Sequence, residues 1–124
     1  MTTLNMNLLK HIIDAFNAHD VDTLVEAFAE DGAMLSAAGP DIWGTRIQGK
    51  AAIREALTKR FAGSPDIQWT EGKNWIAGDK AVSEWRVTAT QPNGQKLDLL
   101  GCDLWEFRDG KIAKKDTYYK QVIK

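Results

Sequence analysis

At Asp66 the chain changes periodicity, and that change limits its architecture more than any other feature. Before it, apolar residues recur at helical spacing. After it, β-branched and aromatic residues come in long runs separated by Ala77-Gly78-Asp79-Lys80, Pro92-Asn93-Gly94-Gln95 and Arg108-Asp109-Gly110-Lys111, each a hairpin turn in composition. The second half is therefore predicted as an antiparallel meander of strands over 66–77, 80–91, 96–108 and 111–122. In the first half, Leu8, Leu9, Ile12, Ile13 and Phe16 form one stripe of a helix from Asn5 to Ala18. Asp20 is suited to cap a short second helix carrying Val21, Leu24, Val25 and Phe28. Asp31-Gly32 ends that hairpin, and Ala33-Met34-Leu35 fits a short strand. A loose stretch from Ser36 to Gln48 reads as a lid, and Gly49 precedes a third helix with Ile53, Leu57 and Phe61 in line until Gly63-Ser64-Pro65. The order α-α-β-α-β-β-β-β gives an α+β fold, three N-terminal helices covering one face of a curved, mostly antiparallel sheet.

With 124 residues the chain forms one domain, 1–124, with a single core. A net charge of -1 gives no basic face for nucleic acid. The amino-terminal residues resemble no signal peptide, no run is long enough to span a membrane, and Cys102 is the lone cysteine, so the expected location is the cytoplasm. His11 and His19 are the only histidines and form no ligand motif with other residues, so no metal is expected. Phosphate-binding glycine motifs are absent, and no cofactor is expected.

Within the third strand, Asp103 lies among Leu99, Leu100, Leu104, Trp105 and Phe107. A carboxylate there must be ion-paired, hydrogen-bonded or protonated, because an unpaired buried charge costs several kcal/mol. Strand alternation puts Asp103 on one face with Leu99, Gly101, Trp105 and Phe107, and Cys102 on the other with Leu100 and Leu104. Both faces are substantially apolar, so the outer one is expected to be covered by a second copy of the chain. Alternation also groups Glu84 with Arg86, and Asp116 with Tyr118 and Lys120. Turned inward beside Asp103, these groups would make one pocket with Asp103 as acid/base and Asp116, Tyr118 and Lys120 as orienting or polarising groups. Alternation alone leaves those registers open. An Arg86–Glu84 network and a solvated strand end at Asp116 to Lys120 are the structural alternatives. Trp43 on the loose stretch is expected to close over a ligand, with Phe16, Ile12 and Trp105 as walls. On this reading Asp103→Asn abolishes turnover with little loss of stability.

The element order, Gly49-Lys-Ala-Ala-Ile-Arg-Glu and Gly101-Cys-Asp-Leu-Trp-Glu-Phe-Arg-Asp-Gly-Lys-Ile together resemble the nuclear transport factor 2-like superfamily, and within it the SnoaL-like domains. The resemblance implies a cone-shaped α+β barrel around a deep apolar pocket, and a homodimer. It implies that Asp103 stands where SnoaL-like cyclases place the acid/base of a glycine-x-Asp, and where ketosteroid isomerase places an oxyanion-hole Asp. The isomerase's base and tyrosine positions correspond to Ala37 and Ile12, so steroid isomerisation is not implied. Limonene epoxide hydrolase has Arg-x-Asp where this chain has Glu84-Trp85-Arg86, and a last-strand Asp where it has Lys120. The expected function is cofactor-independent proton transfer on an apolar carbonyl compound, of isomerase, cyclase or dehydratase type. The alternative is a module of the same fold that binds a small apolar ligand or a protein partner without catalysis, favoured if the pocket's carboxylates are neutralised by cations.

Overall fold

The computed structural model describes residues 3–123. Helix α1 (Met6–Asn17) starts where Asn5 Oδ1 accepts a hydrogen bond from the Leu8 amide at 2.8 Å, and it buries Leu9, Ile12, Ala15 and Phe16. Helix α2 (Val21–Ala27) is capped by Asp20, which accepts from the Thr23 amide at 3.1 Å. Strand β1 (Phe28–Leu35) and the short β2 (Arg46–Gln48) precede helix α3 (Lys50–Gly63), whose Ile53, Leu57 and Phe61 are the buried line. Four long strands follow: β3 (Gln68–Ala77), β4 (Lys80–Thr90), β5 (Lys96–Arg108) and β6 (Lys111–Tyr119). No helix among the described residues is long and apolar enough to cross a membrane.

The sheet runs β2-β1-β6-β5-β4-β3, with β1 and β6 parallel and every other pair antiparallel. It is one mixed, open sheet with the three helices against one face, an open cone in place of a closed barrel. Two features depart from the sequence reading. Phe28 ends α2 and begins β1, which is longer than the predicted 33–35 because Phe28 pairs with Ile112, and the chain between it and the Ala33–Lys114 pair bulges while staying close to β6. Gly32 permits that approach, since a Cβ there would lie 2.7 Å from the Ile112 carbonyl oxygen. The predicted lid also contains β2, paired with Ala33 to Leu35.

Leu9, Ile12, Leu24, Phe28, Ile53, Ile67 and Ile112 are fully buried between helices and sheet. Burying each contributes about 1.5–3 kcal/mol. Phe16 sets its ring edge-on to Trp69 and Trp105, at 5.7 and 6.3 Å. Asn17, at the end of α1, accepts from the Trp69 amide and donates to its carbonyl, at 2.8 and 2.9 Å, so a side chain extends β3's ladder. His19 bonds the Ile67 carbonyl oxygen at 2.8 Å and stacks on Phe61 at 4.3 Å. Together these contacts fix where β3 leaves the helices and hence where Trp69 stands.

Candidate functional site

Asp103 is 4% exposed, and its surroundings follow from register. It lies opposite Ser83 on β4 and Thr117 on β6. Its Oδ2 accepts from Trp85 Nε1 at 2.9 Å, while Oδ1 accepts from Lys115 Nζ at 2.9 Å and from Thr117 Oγ1 at 2.6 Å. Lys115 also donates to Thr117 Oγ1 at 3.0 Å, and its ammonium lies 5.1 Å from the Phe16 ring centroid and 5.7 Å from that of Trp105. Every bond to Asp103 is one it accepts, the pattern of an ionised carboxylate. With Lys115 only 12% exposed at its side chain, this is a buried ion pair, and removing one partner of such a pair costs about 3–5 kcal/mol.

In front of this cluster lies a cavity of about 290 Å³, bordered by Lys115, Thr117 and Trp85. Its walls are mainly apolar, with Phe16, Met34, Leu57, Phe61, Trp69 and Val87 prominent. Ser36 to Ala38 and Ile47 come from the segment between β1 and α3, Arg60 from α3, and Tyr119 from the end of β6. Asp103 is not on the cavity surface; it holds three residues that are. The arrangement can present an ammonium to a carbonyl or an oxyanion, and beside it a hydroxyl oxygen whose hydrogen is given to a carboxylate.

The other expected site residues fall elsewhere, and a single bulge explains most of the difference. Phe107 pairs with Ile112, but Glu106 pairs with Lys114, leaving Ala113 as an extra residue on β6. Ile112 points into the core, and plain alternation would send Lys114, Asp116, Tyr118 and Lys120 after it. The extra residue reverses the order, so Lys115, Thr117 and Tyr119 face inward. Asp116 and Tyr118 therefore share the outer face with Leu104 and Cys102, their register partners, and Lys120 borders an outer groove. The expectation that Asp116, Tyr118 and Lys120 join Asp103 is corrected on that ground.

Glu84 and Arg86 are outward by the same register, opposite Cys102 and Leu100. Arg86 forks onto Asp98 with two bonds of 2.7 Å and reaches Glu71 at 3.3 Å, holding the Asp98 carboxyl below its ordinary range. Trp43 is not at the cavity; it lies on a turn closed by Asp41 and Gly44, with the Arg46 guanidinium 5.6 Å from its ring. Ile12 and Trp105 are core residues behind the cavity, and Phe16 is a wall as expected. Burial, with Asp103, Glu84 and Asp116 nearby, raises the Cys102 thiol above its ordinary value, which disfavours a nucleophilic role. Sequence reasoning missed Lys115, Thr117 and Arg60. The first two were readable only as the opposite parity of the last strand.

Solved structures share this fold across nearly the full chain. A proposed polyketide cyclase from Xanthomonas campestris pv. campestris is 26% identical, with 92% of this chain and 88% of that one covered at a TM-score of 0.80. A second proposed polyketide cyclase, from Pseudomonas putida, is 22% identical, with coverages of 91% and 89% and a TM-score of 0.80. A protein of ketosteroid isomerase-like fold from Catenulispora acidiphila, solved in complex with trimethylamine, is 19% identical, with coverages of 94% and 88% and a TM-score of 0.80. The last two likenesses are of fold alone. No curated protein matches the sequence. The model of the SnoaL-like domain matches residues 9–115, from the first helix through to Lys115 beside the cavity, and the chain belongs to that family.

Proposed function

We propose that this protein is a cofactor-independent enzyme that moves a proton on an apolar carbonyl compound held in the cavity, as isomerases, cyclases and dehydratases do. The observation that carries the reading is the chain Lys115, Thr117, Asp103 at the buried end of an apolar cavity. Lys115 polarises the carbonyl and stabilises the enolate oxygen that forms. Thr117, bonded to Asp103 at 2.6 Å, relays the proton: as its oxygen takes a hydrogen from the carbon beside the carbonyl, its own passes to Asp103. Returning that proton to a different carbon completes an isomerisation.

The test is hydrogen–deuterium exchange at the α carbon of apolar ketones such as 2-tetralone, followed by proton NMR in heavy water. Exchange above the buffer rate that is lost in Asp103→Asn and Thr117→Val supports the reading. Ligands that quench tryptophan fluorescence yet exchange at the buffer rate overturn it. One observation favours a second reading, a ligand-binding module without catalysis: Asp103 is already neutralised by Lys115 and sits behind the cavity surface.

The same proposal includes a homodimer through the outer sheet face, where Trp75, Leu100, Leu104 and Tyr118 are 40–54% exposed. A cytoplasmic location suits the unpaired thiol of Cys102.

A further inference from the structure

The side chains bordering the cavity include two cations and no carboxylate. Lys115 is one; its charge is balanced by Asp103 at 2.9 Å, behind the lining. Arg60 is the other. It lies in the last turn of α3, exposed on its solvent side, and among the described residues it forms no ion pair, whereas its helix neighbours Arg54 and Lys59 each have one. The remaining lining side chains with oxygen, Ser36, Thr117 and Tyr119, are hydroxyls and bring no carboxylate; Ser36 already donates to the Ala38 carbonyl at 2.7 Å and Thr117 to Asp103 at 2.6 Å. One uncompensated positive charge thus stands at the solvent end of an apolar cavity.

We infer that the ligand is an apolar monocarboxylate, its carboxylate held by the Arg60 guanidinium and its apolar body lying against Phe16, Met34, Trp69 and Leu97. The inference rests on the small-molecule reading above and adds to it a substrate class, the apolar keto acid, whose ketone would reach Lys115 and Thr117 while its carboxylate stays at the rim. The guanidinium fork matches a carboxylate with two parallel hydrogen bonds, which an ammonium cannot do. A cationic ligand would meet two like charges. A dianion would bring one negative charge more than the lining leaves unbalanced. A cation in the last turn also complements the helix dipole, but that role is indifferent to what occupies the cavity.

The test uses 4-oxo-4-phenylbutanoate and its methyl ester, which share the ketone and differ in charge. Binding is read by quenching of tryptophan fluorescence, since Trp69 and Trp85 border the cavity. The acid is expected to bind about tenfold more tightly than the ester at low salt, and less so as salt is added. Arg60→Gln is expected to bring that ratio close to one by weakening the acid alone. Equal binding of acid and ester to the parent protein, an unchanged ratio in Arg60→Gln, or no saturable quenching by the acid overturns the inference. α-Deuterium exchange in the same samples reports on catalysis separately. Exchange without charge discrimination overturns the monocarboxylate alone, and discrimination without exchange overturns the catalytic reading alone.

Discussion

Trp85 stands directly opposite Gly101 on the neighbouring strand, and its indole fills the space into which a Cβ at Gly101 would project, 2.5 Å from Cη2 and 2.6 Å from Cζ3. The Tyr118 carbonyl oxygen would lie 2.6 Å away on the other side. The absence of a side chain thus lets the indole lie across β5 and donate to Asp103, two residues along. Gly101→Ala is expected to displace the ring, destabilise the fold by about 1–3 kcal/mol and deprive Asp103 of one donor. Urea unfolding followed by tryptophan emission checks this; a variant matching its parent in midpoint and emission would contradict it.

The Asp103–Lys115 pair revises what Asp103→Asn should do. The substitution leaves the Lys115 ammonium buried without its counter-charge, so the expected loss is about 3 kcal/mol rather than little. Lys115→Met strands the carboxylate to a similar extent. The double variant should be more stable than the sum of the two losses allows, by about 1 kcal/mol or more. Additive losses in denaturant titrations would show that the two groups are not coupled.

Leu104 is 40% exposed on the outer face, between Val82 on β4 and Asp116 on β6. If a second copy covers that face, Leu104→Glu puts an unpaired charge into the interface and yields a folded monomer. Sedimentation velocity distinguishes the outcomes: a parent that is monomeric at tens of micromolar ends the dimer proposal.

Glu106 binds Lys114 at 2.8 Å and Lys80 at 3.2 Å, joining β5 to both neighbours. These lysines hold its carboxyl below the ordinary 4.5. Its folded-state value is lower than its unfolded one, so its contribution is complete above about pH 5 and is lost as pH falls through the folded value. Glu106→Gln should therefore lower the urea midpoint at pH 7 and narrow the gap between pH 7 and pH 3. An equal gap in both proteins would remove Glu106 from the acid response.

The helices were legible because their signals are local. Asn5 and Asp20 cap where a side-chain oxygen can reach free amides, and Ile53, Leu57 and Phe61 bury as their spacing requires. Asp103 was legible as a carboxylate that had to find partners, and it has three. Which partners was not legible, because β6 carries charged and aromatic residues at both parities and a bulge appears only when two strands are laid together. The full extent of β1 was hidden for a related reason: Glu30, Asp31 and Gly32 have little strand propensity and lie in a bulge between the Phe28–Ile112 and Ala33–Lys114 pairs, which likewise appears only when two strands are laid together.

The extra residue at Ala113 makes the chemistry of the cavity a matter of counting. Lys115, Thr117 and Tyr119 form one chemical alphabet; Lys114, Asp116 and Tyr118 form another, offset by a single position. Deleting Ala113 would keep Ile112, Lys114 and Lys115 opposite Phe107, Glu106 and Trp105 and so leave the same side chains inward; pairing the unchanged strand without its bulge, Ala113 opposite Glu106, would exchange the two and turn Asp116 toward the ligand. The same residues on the last strand would thus favour ligands of opposite charge according to whether the strand bulges at that one position.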